Sequence, residues 1–177
     1  MQLYAAGQNS FAYEEPVLFK RGGKLWVKLP LSVTDEAALI DLLRDRATLE
    51  LQIETLVQRK RSLWFNEDLT KNNFVSVVRH DPLSREFKLT HIINAQVMSN
   101  SNLRPLLAVS WKKNELPLIE LSALKPSETY IIEIDLALRH SELPSWLERT
   151  LVFWDKNIVN TEHLTLEYKL DDATVSR

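Results

Sequence analysis

The chain has 177 residues, of which 45% are hydrophobic and 26% are charged, and its formal net charge is −2. This length and balance fit one globular domain with an apolar core of its own. The absence of cysteine excludes disulfides, zinc–thiolate sites, iron–sulfur clusters and thiol catalysis, and the slight acidic excess makes nucleic acid an unexpected partner.

The start of the chain bears on its location. Residues 1–10 contain neither the basic nor the apolar part of a signal peptide, and no apolar run reaches the ~20 residues of a membrane-spanning helix. Two interpretations follow: a cytosolic protein, or a chain from which a targeting segment has been removed. The polar, small-residue opening favours the second. We predict a flexible segment at 1–14, a domain at 15–170 and a disordered tail at 171–177.

The first predicted elements form a β-hairpin. Gly22-Gly23 is a strong signal for a tight turn, and it lies between strand-like runs at residues 16–21 and 24–29. Apolar residues alternate along the second run, which predicts that Trp26 lies on the face opposite to them.

A short helix and a long strand are predicted next. Residues 34–46 have the apolar spacing of a helix, with Ser32 or Thr34 as its N-cap. Residues 48–57 then alternate almost perfectly between apolar and polar side chains, which is typical of a half-buried strand.

The rest of the chain predicts a series of short strands. They cover residues 73–80, 85–93, 116–121, 129–139, 150–154 and 164–170. A turn at 81–84 joins the first two of these, 94–102 is predicted to be a loop, and a second short helix is predicted over 103–111. About eight strands with one or two helices predict a mainly β fold, an antiparallel β-sandwich, with an open barrel as the alternative.

A search for catalytic and metal-binding motifs finds no known signature. The four histidines are scattered without ligand spacing, so each is expected to be an ordinary loop or strand-face residue. They are His80, His91, His140 and His163. No cofactor, metal site or catalytic residue is therefore predicted.

The carboxylates of the strands offer the one enzymatic alternative. Glu50 and Glu54, like Glu133 and Asp135, alternate with apolar residues and are expected to form a solvated face. A pair of strand carboxylates that met in space would instead suit a carbohydrate-active β-sandwich enzyme.

The basic aromatic segment, residues 58–67, is the most distinctive feature. Arg59, Arg61, Trp64 and Phe65 interleave cations with aromatic rings, a pattern that suits a protein partner, a membrane surface or single-stranded nucleic acid. We predict these four residues as the contact edge. The alternative is that Trp64 and Phe65 fold back onto the core.

The order of these elements resembles a bacterial family of exported proteins classified as a domain of unknown function, DUF4390. The resemblance covers residues 15–170 and is carried by soft patterns rather than a catalytic signature. These patterns are Leu42-Leu-Arg-Asp-Arg46, Gln58-Arg-Lys-Arg-Ser-Leu-Trp-Phe65, Asp81-Pro-Leu-Ser84, Leu116-Pro-Leu118, Leu124-Lys-Pro-Ser-Glu-Thr-Tyr130, Leu143-Pro144 and Trp154.

Membership of such a family implies a periplasmic or otherwise extracytoplasmic protein to which no enzymatic activity is assigned. Members carry an N-terminal hydrophobic segment that this chain lacks, and the resemblance implies a membrane sensor kinase of the nitrogen-regulation type as a conceivable partner. The sequence therefore predicts a non-enzymatic binding domain whose partner is a protein or the membrane surface.

Overall fold

A computed structural model describes residues 11–45, 47–92, 94–141 and 158–170. Within these ranges the chain forms eleven strands, all paired antiparallel, and two α-helices. In chain order these are β1 (Phe11–Tyr13), β2 (Val17–Arg21), β3 (Lys24–Lys28), β4 (Leu31–Val33), α1 (Glu36–Arg44), β5 (Thr48–Arg59), β6 (Glu67–Asp81), β7 (Glu86–His91), β8 (Gln96–Asn100), α2 (Leu103–Val109), β9 (Glu115–Glu120), β10 (Thr129–Ser141) and β11 (Ile158–Lys169).

The strands form two main sheets and a small ribbon. The larger sheet has the order β11-β10-β5-β6-β7-β8, the second has the order β2-β3-β9, and β1 pairs with β4. Strand β9 packs against β5 and β6, so the second sheet lies against the larger one. The prediction of a mainly β, sandwich-like antiparallel fold is confirmed.

The core lies on the inner face of the larger sheet. Along β5 the buried side chains alternate with half-buried ones, and β10 repeats this alternation beside it. The fully buried positions include Leu49, Val57, Ile132, Ile134 and Leu138. Burying each such side chain contributes about 1.5–3 kcal/mol relative to exposure. A slip of one residue would turn every one of them outward, so this pattern specifies the register.

The glycine turn of the first hairpin is confirmed. Gly22 and Gly23 join β2 to β3 with φ angles of 57° and 76°. Two successive positive φ angles are typical of a type I′ turn, whose twist matches that of the flanking strands.

Two local predictions are wrong. Residues 94–102, predicted to be a loop, contain β8, which lies at the edge of the larger sheet and pairs only with β7 among the described strands. An edge strand tolerates polar residues on its open side, so it lacks the alternation that marks inner strands. The N-cap of α1 is Asp35, whose Oδ1 accepts a hydrogen bond of 3.0 Å from the Ala38 N–H.

Several predictions concern residues that the structure does not describe. The strand predicted at 150–154, the Leu143-Pro144 and Trp154 patterns of the family resemblance, most of the flexible segment at 1–14 and the tail at 171–177 lie outside the described residues. Residues 11–13 of that N-terminal segment form β1. Among the described residues, no helix combines the length and apolar character that a membrane crossing requires.

Candidate binding site

The turn between β5 and β6, residues 60–66, carries the basic aromatic segment, and we call it the hairpin tip. Three consecutive apolar side chains here face solvent: Leu63 is 89% exposed, Trp64 78% and Phe65 95%. The alternative that Trp64 and Phe65 fold back onto the core is therefore wrong. Consecutive apolar side chains exposed to this extent are uncommon on a monomeric protein, so the hairpin tip is a candidate contact surface.

A shared carboxylate organises the base of the hairpin tip. The Arg59 Nε donates to Glu67 Oε2 at 3.0 Å, and the Arg61 guanidinium pairs with the same oxygen. These two hydrogen-bonded cations lower the pKa of the Glu67 carboxyl, and the Glu67 carboxylate raises the pKa of Arg59. Arg59 is largely buried by its neighbours, with 18% of its side chain exposed, whereas Arg61 is 45% exposed.

Side-chain amides continue this network. Asn66 donates from Nδ2 to Gln58 Oε1 at 3.3 Å, and Gln58 donates from Nε2 to Asp68 Oδ1 at 2.7 Å. The Arg61 backbone N–H donates to Asn66 Oδ1 at 3.4 Å. These bonds join the two ends of the hairpin tip, so they hold the apolar residues in a defined position.

The third cation of the segment is tied to the neighbouring strands. Lys60 Nζ lies 3.2 Å from Glu167 Oε1 on β11, and the Lys60 backbone N–H donates to the Thr129 carbonyl at 2.9 Å. Because Glu67 pairs with both Arg59 and Arg61, every cation of the segment has a carboxylate partner. These ion pairs reduce the positive charge that the segment presents to solvent, which does not favour a polyphosphate ligand.

The predicted carboxylate face lies on the outer side of the larger sheet. Glu54 and Asp135 are direct cross-strand partners, and Asp135 is in turn opposite His163. Lys71 Nζ lies 2.9 Å from Glu54, and His163 Nδ1 lies 2.6 Å from Asp135. These contacts raise the pKa of both Lys71 and His163.

The remaining histidines have separate environments. His80 packs against the Phe87 ring with centroids 5.1 Å apart, and His91 contacts Ser110, with 2.9 Å between Nε2 and Oγ. The His140 side chain is outside the described part of the structure. Among the described residues, no three His, Asp or Glu side chains gather in a way that would hold a metal ion.

The described tryptophans have three different roles. Trp111 is buried, with 3% of its surface exposed. Trp26 stacks on Phe19 and carries the Arg21 guanidinium 4.1 Å above its ring, on the face opposite Leu25 and Val27. Trp64 alone of these three projects into solvent. The sequence identified the segment that holds Trp64, but it left open whether that ring lies on the surface or on the core.

Comparison with known proteins gives one match. A family model described as "Domain of unknown function (DUF4390)" matches residues 8–166. No curated protein matches the chain. No solved structure matches it either.

Proposed function

The chain belongs to the DUF4390 family of domains of unknown function, and from that premise we propose that it is a non-enzymatic, extracytoplasmic module that attaches to a membrane surface through the hairpin tip. The observation that carries the proposal is the exposure of Leu63, Trp64 and Phe65, which is 89%, 78% and 95%. Leaving three large apolar side chains in water is unfavourable, and an apolar environment removes that penalty.

The size of the apolar surface favours a membrane over a protein. A protein contact of standard size buries about 800 Å² on each partner. An aromatic side chain buries roughly 150–250 Å², so two aromatic residues and one leucine would need polar neighbours beside them to reach that total area. A small protruding tip is sufficient to enter the boundary between lipid head groups and acyl chains, where tryptophan is enriched.

The polar surroundings of the hairpin tip suit the same location. Lys60 and Arg61 flank the apolar residues and would lie at the level of the head groups. Both are paired, with Glu167 and Glu67 respectively, and these ion pairs weaken their attraction to anionic lipid. We therefore expect binding that depends mainly on apolar insertion and only weakly on salt.

A protein partner, such as a membrane sensor kinase, is the competing candidate. The observation in its favour is the preorganised Arg59–Glu67–Arg61 arrangement beside an exposed tryptophan, since Trp and Arg are the residues that dominate protein interfaces. Such a partner would use the predicted residues Arg59, Arg61, Trp64 and Phe65, but it would not produce binding to lipid vesicles free of protein.

The test is co-sedimentation of the protein with vesicles of phosphatidylcholine, alone and mixed with phosphatidylglycerol. We expect the wild type to bind and the double variant W64S/F65S to remain in solution. The matched control is Leu83→Ser, because Leu83 is 95% exposed but lies in the turn after β6, at the end of that strand away from the hairpin tip.

The outcomes of this experiment distinguish membrane attachment from a protein partner. Circular dichroism should show unchanged folding for both variants, since neither replaces a buried residue. Wild-type protein that fails to bind either kind of vesicle would overturn the membrane proposal in favour of a protein partner. Equal binding by W64S/F65S and the wild type would show that the hairpin tip is not the attachment site.

A further inference from the structure

A cavity of about 400 Å³ opens between the larger sheet and the connection from α2 to β9. This volume is within the range of small-molecule sites, which are mostly apolar with a few placed polar groups. The cavity is more mixed than that, because polar and charged side chains make up about half of its lining: Ser76, His91, Asn94, Gln96, Ser110, Lys113, Asn114 and Glu115. Its apolar walls include Leu51, Ile53, Phe74, Met98, Trp111 and Leu116.

Two polar residues lie side by side on the sheet wall of this cavity. Ser76 on β6 and His91 on β7 are direct cross-strand partners, so their side chains share the inner face. The connection after α2 contacts both of them. Trp111 Nε1 donates to Ser76 Oγ at 2.9 Å, and Ser110 Oγ lies 2.9 Å from His91 Nε2.

The contact between Trp111 and Ser76 is structural. The contact between Ser110 and His91 leaves both side chains able to form further hydrogen bonds. Ser76 is 5% exposed and satisfies the buried indole N–H. Ser110 and His91 both line the cavity, and each has further hydrogen-bonding capacity beyond the bond between them. Burial lowers the pKa of His91, so at neutral pH the ring is uncharged and has one donor and one acceptor nitrogen.

A third polar group of the cavity has no partner. Asn114 lines the cavity, and its Nδ2 is buried without a hydrogen-bond partner among the described residues. A buried donor left unpaired is unfavourable. Nδ2 is buried and not open to the cavity, so a ligand oxygen could accept from it only after the amide rotates, and that rotation breaks no hydrogen bond of Nδ2.

We propose that the cavity is a binding site for a compact molecule with an apolar ring or chain and a single carbonyl or carboxylate oxygen. The oxygen accepts from Asn114 and lies within reach of Ser110 and His91, while Phe74, Met98 and Trp111 contact the apolar body. Lys113 and Glu115 both line the cavity, and Glu115 is paired with Arg21, so Lys113 is the lining charge left to attract a carboxylate. This inference is independent of membrane attachment, because the hairpin tip contributes no residue to the cavity.

Three probes that share a benzyl group test the proposal: phenylacetate, phenylacetamide and ethylbenzene. Titration of ¹⁵N-labelled protein, followed by NMR of the Trp111 indole N–H, measures the affinity of each. We expect both oxygen-bearing probes to bind about tenfold or more tightly than ethylbenzene, since one satisfied buried donor is worth about that factor. Wild-type protein that binds no probe, or that binds all three equally, would overturn the proposal.

Paired substitutions identify the group responsible. Asn114→Leu should abolish the preference for oxygen-bearing probes while ethylbenzene binding persists. The control Asn73→Leu, on the outer face of β6 opposite Glu54, should behave like the wild type. A preference that survives Asn114→Leu contradicts the assignment.

If Asn114→Leu does not fold, Ser110→Ala is used instead, and unchanged affinity for phenylacetate would then count against the site. W64S/F65S should bind the probes normally, which separates this test from that of membrane attachment.

Discussion

Ser110 at the end of α2 and His91 at the end of β7 meet across the inner face of the larger sheet, with 2.9 Å between Oγ and Nε2. The contact joins the helical connection to a strand 19 residues away. It also places a titratable ring where burial disfavours its charged form, and the pKa of His91 is lowered accordingly. Folding should therefore depend on pH through this residue.

The first prediction concerns acidification near pH 6. Because the pKa of His91 is lower in the folded state than its usual value of 6.5, the unfolded state binds a proton first as pH falls. Stability is therefore lost as pH falls through about 6.5. His91→Gln should reduce this loss, as measured by urea unfolding at neutral pH and at about pH 5.5.

His163 provides a control, because its contribution to stability should depend on pH in the opposite direction. Asp135 raises the pKa of His163, so its contribution to stability is present at low pH and is lost as pH rises through the folded-state pKa. His163→Gln should therefore make the protein more sensitive to acid, while His91→Gln makes it less so. Identical pH dependence in the two variants would contradict both assignments.

The second prediction concerns the buried hydrogen bond from Trp111 Nε1 to Ser76 Oγ, which is 2.9 Å long. Ser76→Ala leaves the indole N–H without an acceptor and should lower the free energy of unfolding by about 1–3 kcal/mol. In a Trp111→Phe background the same change should be much less costly, because the donor is already gone. A double-mutant cycle by urea unfolding measures the difference, and equal costs in both backgrounds would rule out this hydrogen bond as the cause.

The fold was largely predictable because its inner strands are defined locally. The alternation from Leu49 to Val57 requires one buried face, and no other part of the chain is needed to recognise it. Strand β8 could not be recognised in this way, since only Met98 of its five residues packs against the core. What makes it a strand is its pairing with β7, which a local pattern does not contain.

The candidate sites were predictable to different degrees. The basic aromatic segment could be recognised from its residue types alone. Whether a given tryptophan is buried could not, because Trp64 and Trp111 are the same residue type and only the tertiary fold decides which one is buried. The His91–Ser110 contact depends on the register of β6, β7 and β8 and on the path of the chain after α2. Neither histidine nor serine carried a spacing signal that would have indicated it.

The third prediction concerns the turn after β6. Asp81 accepts from Lys88 Nζ at 2.5 Å and from the Leu83 N–H at 3.0 Å, and together these contacts lower its pKa from 3.8 to about 2. Its contribution to stability is present above about pH 4 and is lost as pH falls toward 2.

Two variants separate the charge of Asp81 from its part in the turn. Asp81→Asn retains the side-chain oxygen that accepts from Leu83, so it should remove the acid-dependent contribution and preserve most of the turn. Asp81→Ala should lose both and lower the melting temperature at neutral pH more than Asp81→Asn does. Melting curves at neutral pH and at about pH 3 provide the comparison. An Asp81→Asn variant as unstable as Asp81→Ala at neutral pH would show that the ion pair, not the turn, is the main contribution.

The last prediction concerns Glu67, the carboxylate that Arg59 and Arg61 share beside the hairpin tip. Glu67→Gln would release two guanidinium groups next to the apolar residues, so it should strengthen binding to vesicles that contain phosphatidylglycerol and leave binding to phosphatidylcholine alone nearly unchanged. The gain should disappear at high salt, because it comes from exposed charges.

Glu120→Gln is the matched control: it makes the same change in net charge, but it releases Lys24 at the start of β3. If both variants gain equally, net charge explains the effect. If only Glu67→Gln binds these vesicles more tightly, the hairpin tip is the surface that faces the lipid. In the wild type, the ion pairs of Arg59 and Arg61 with Glu67 then keep binding from depending strongly on lipid charge.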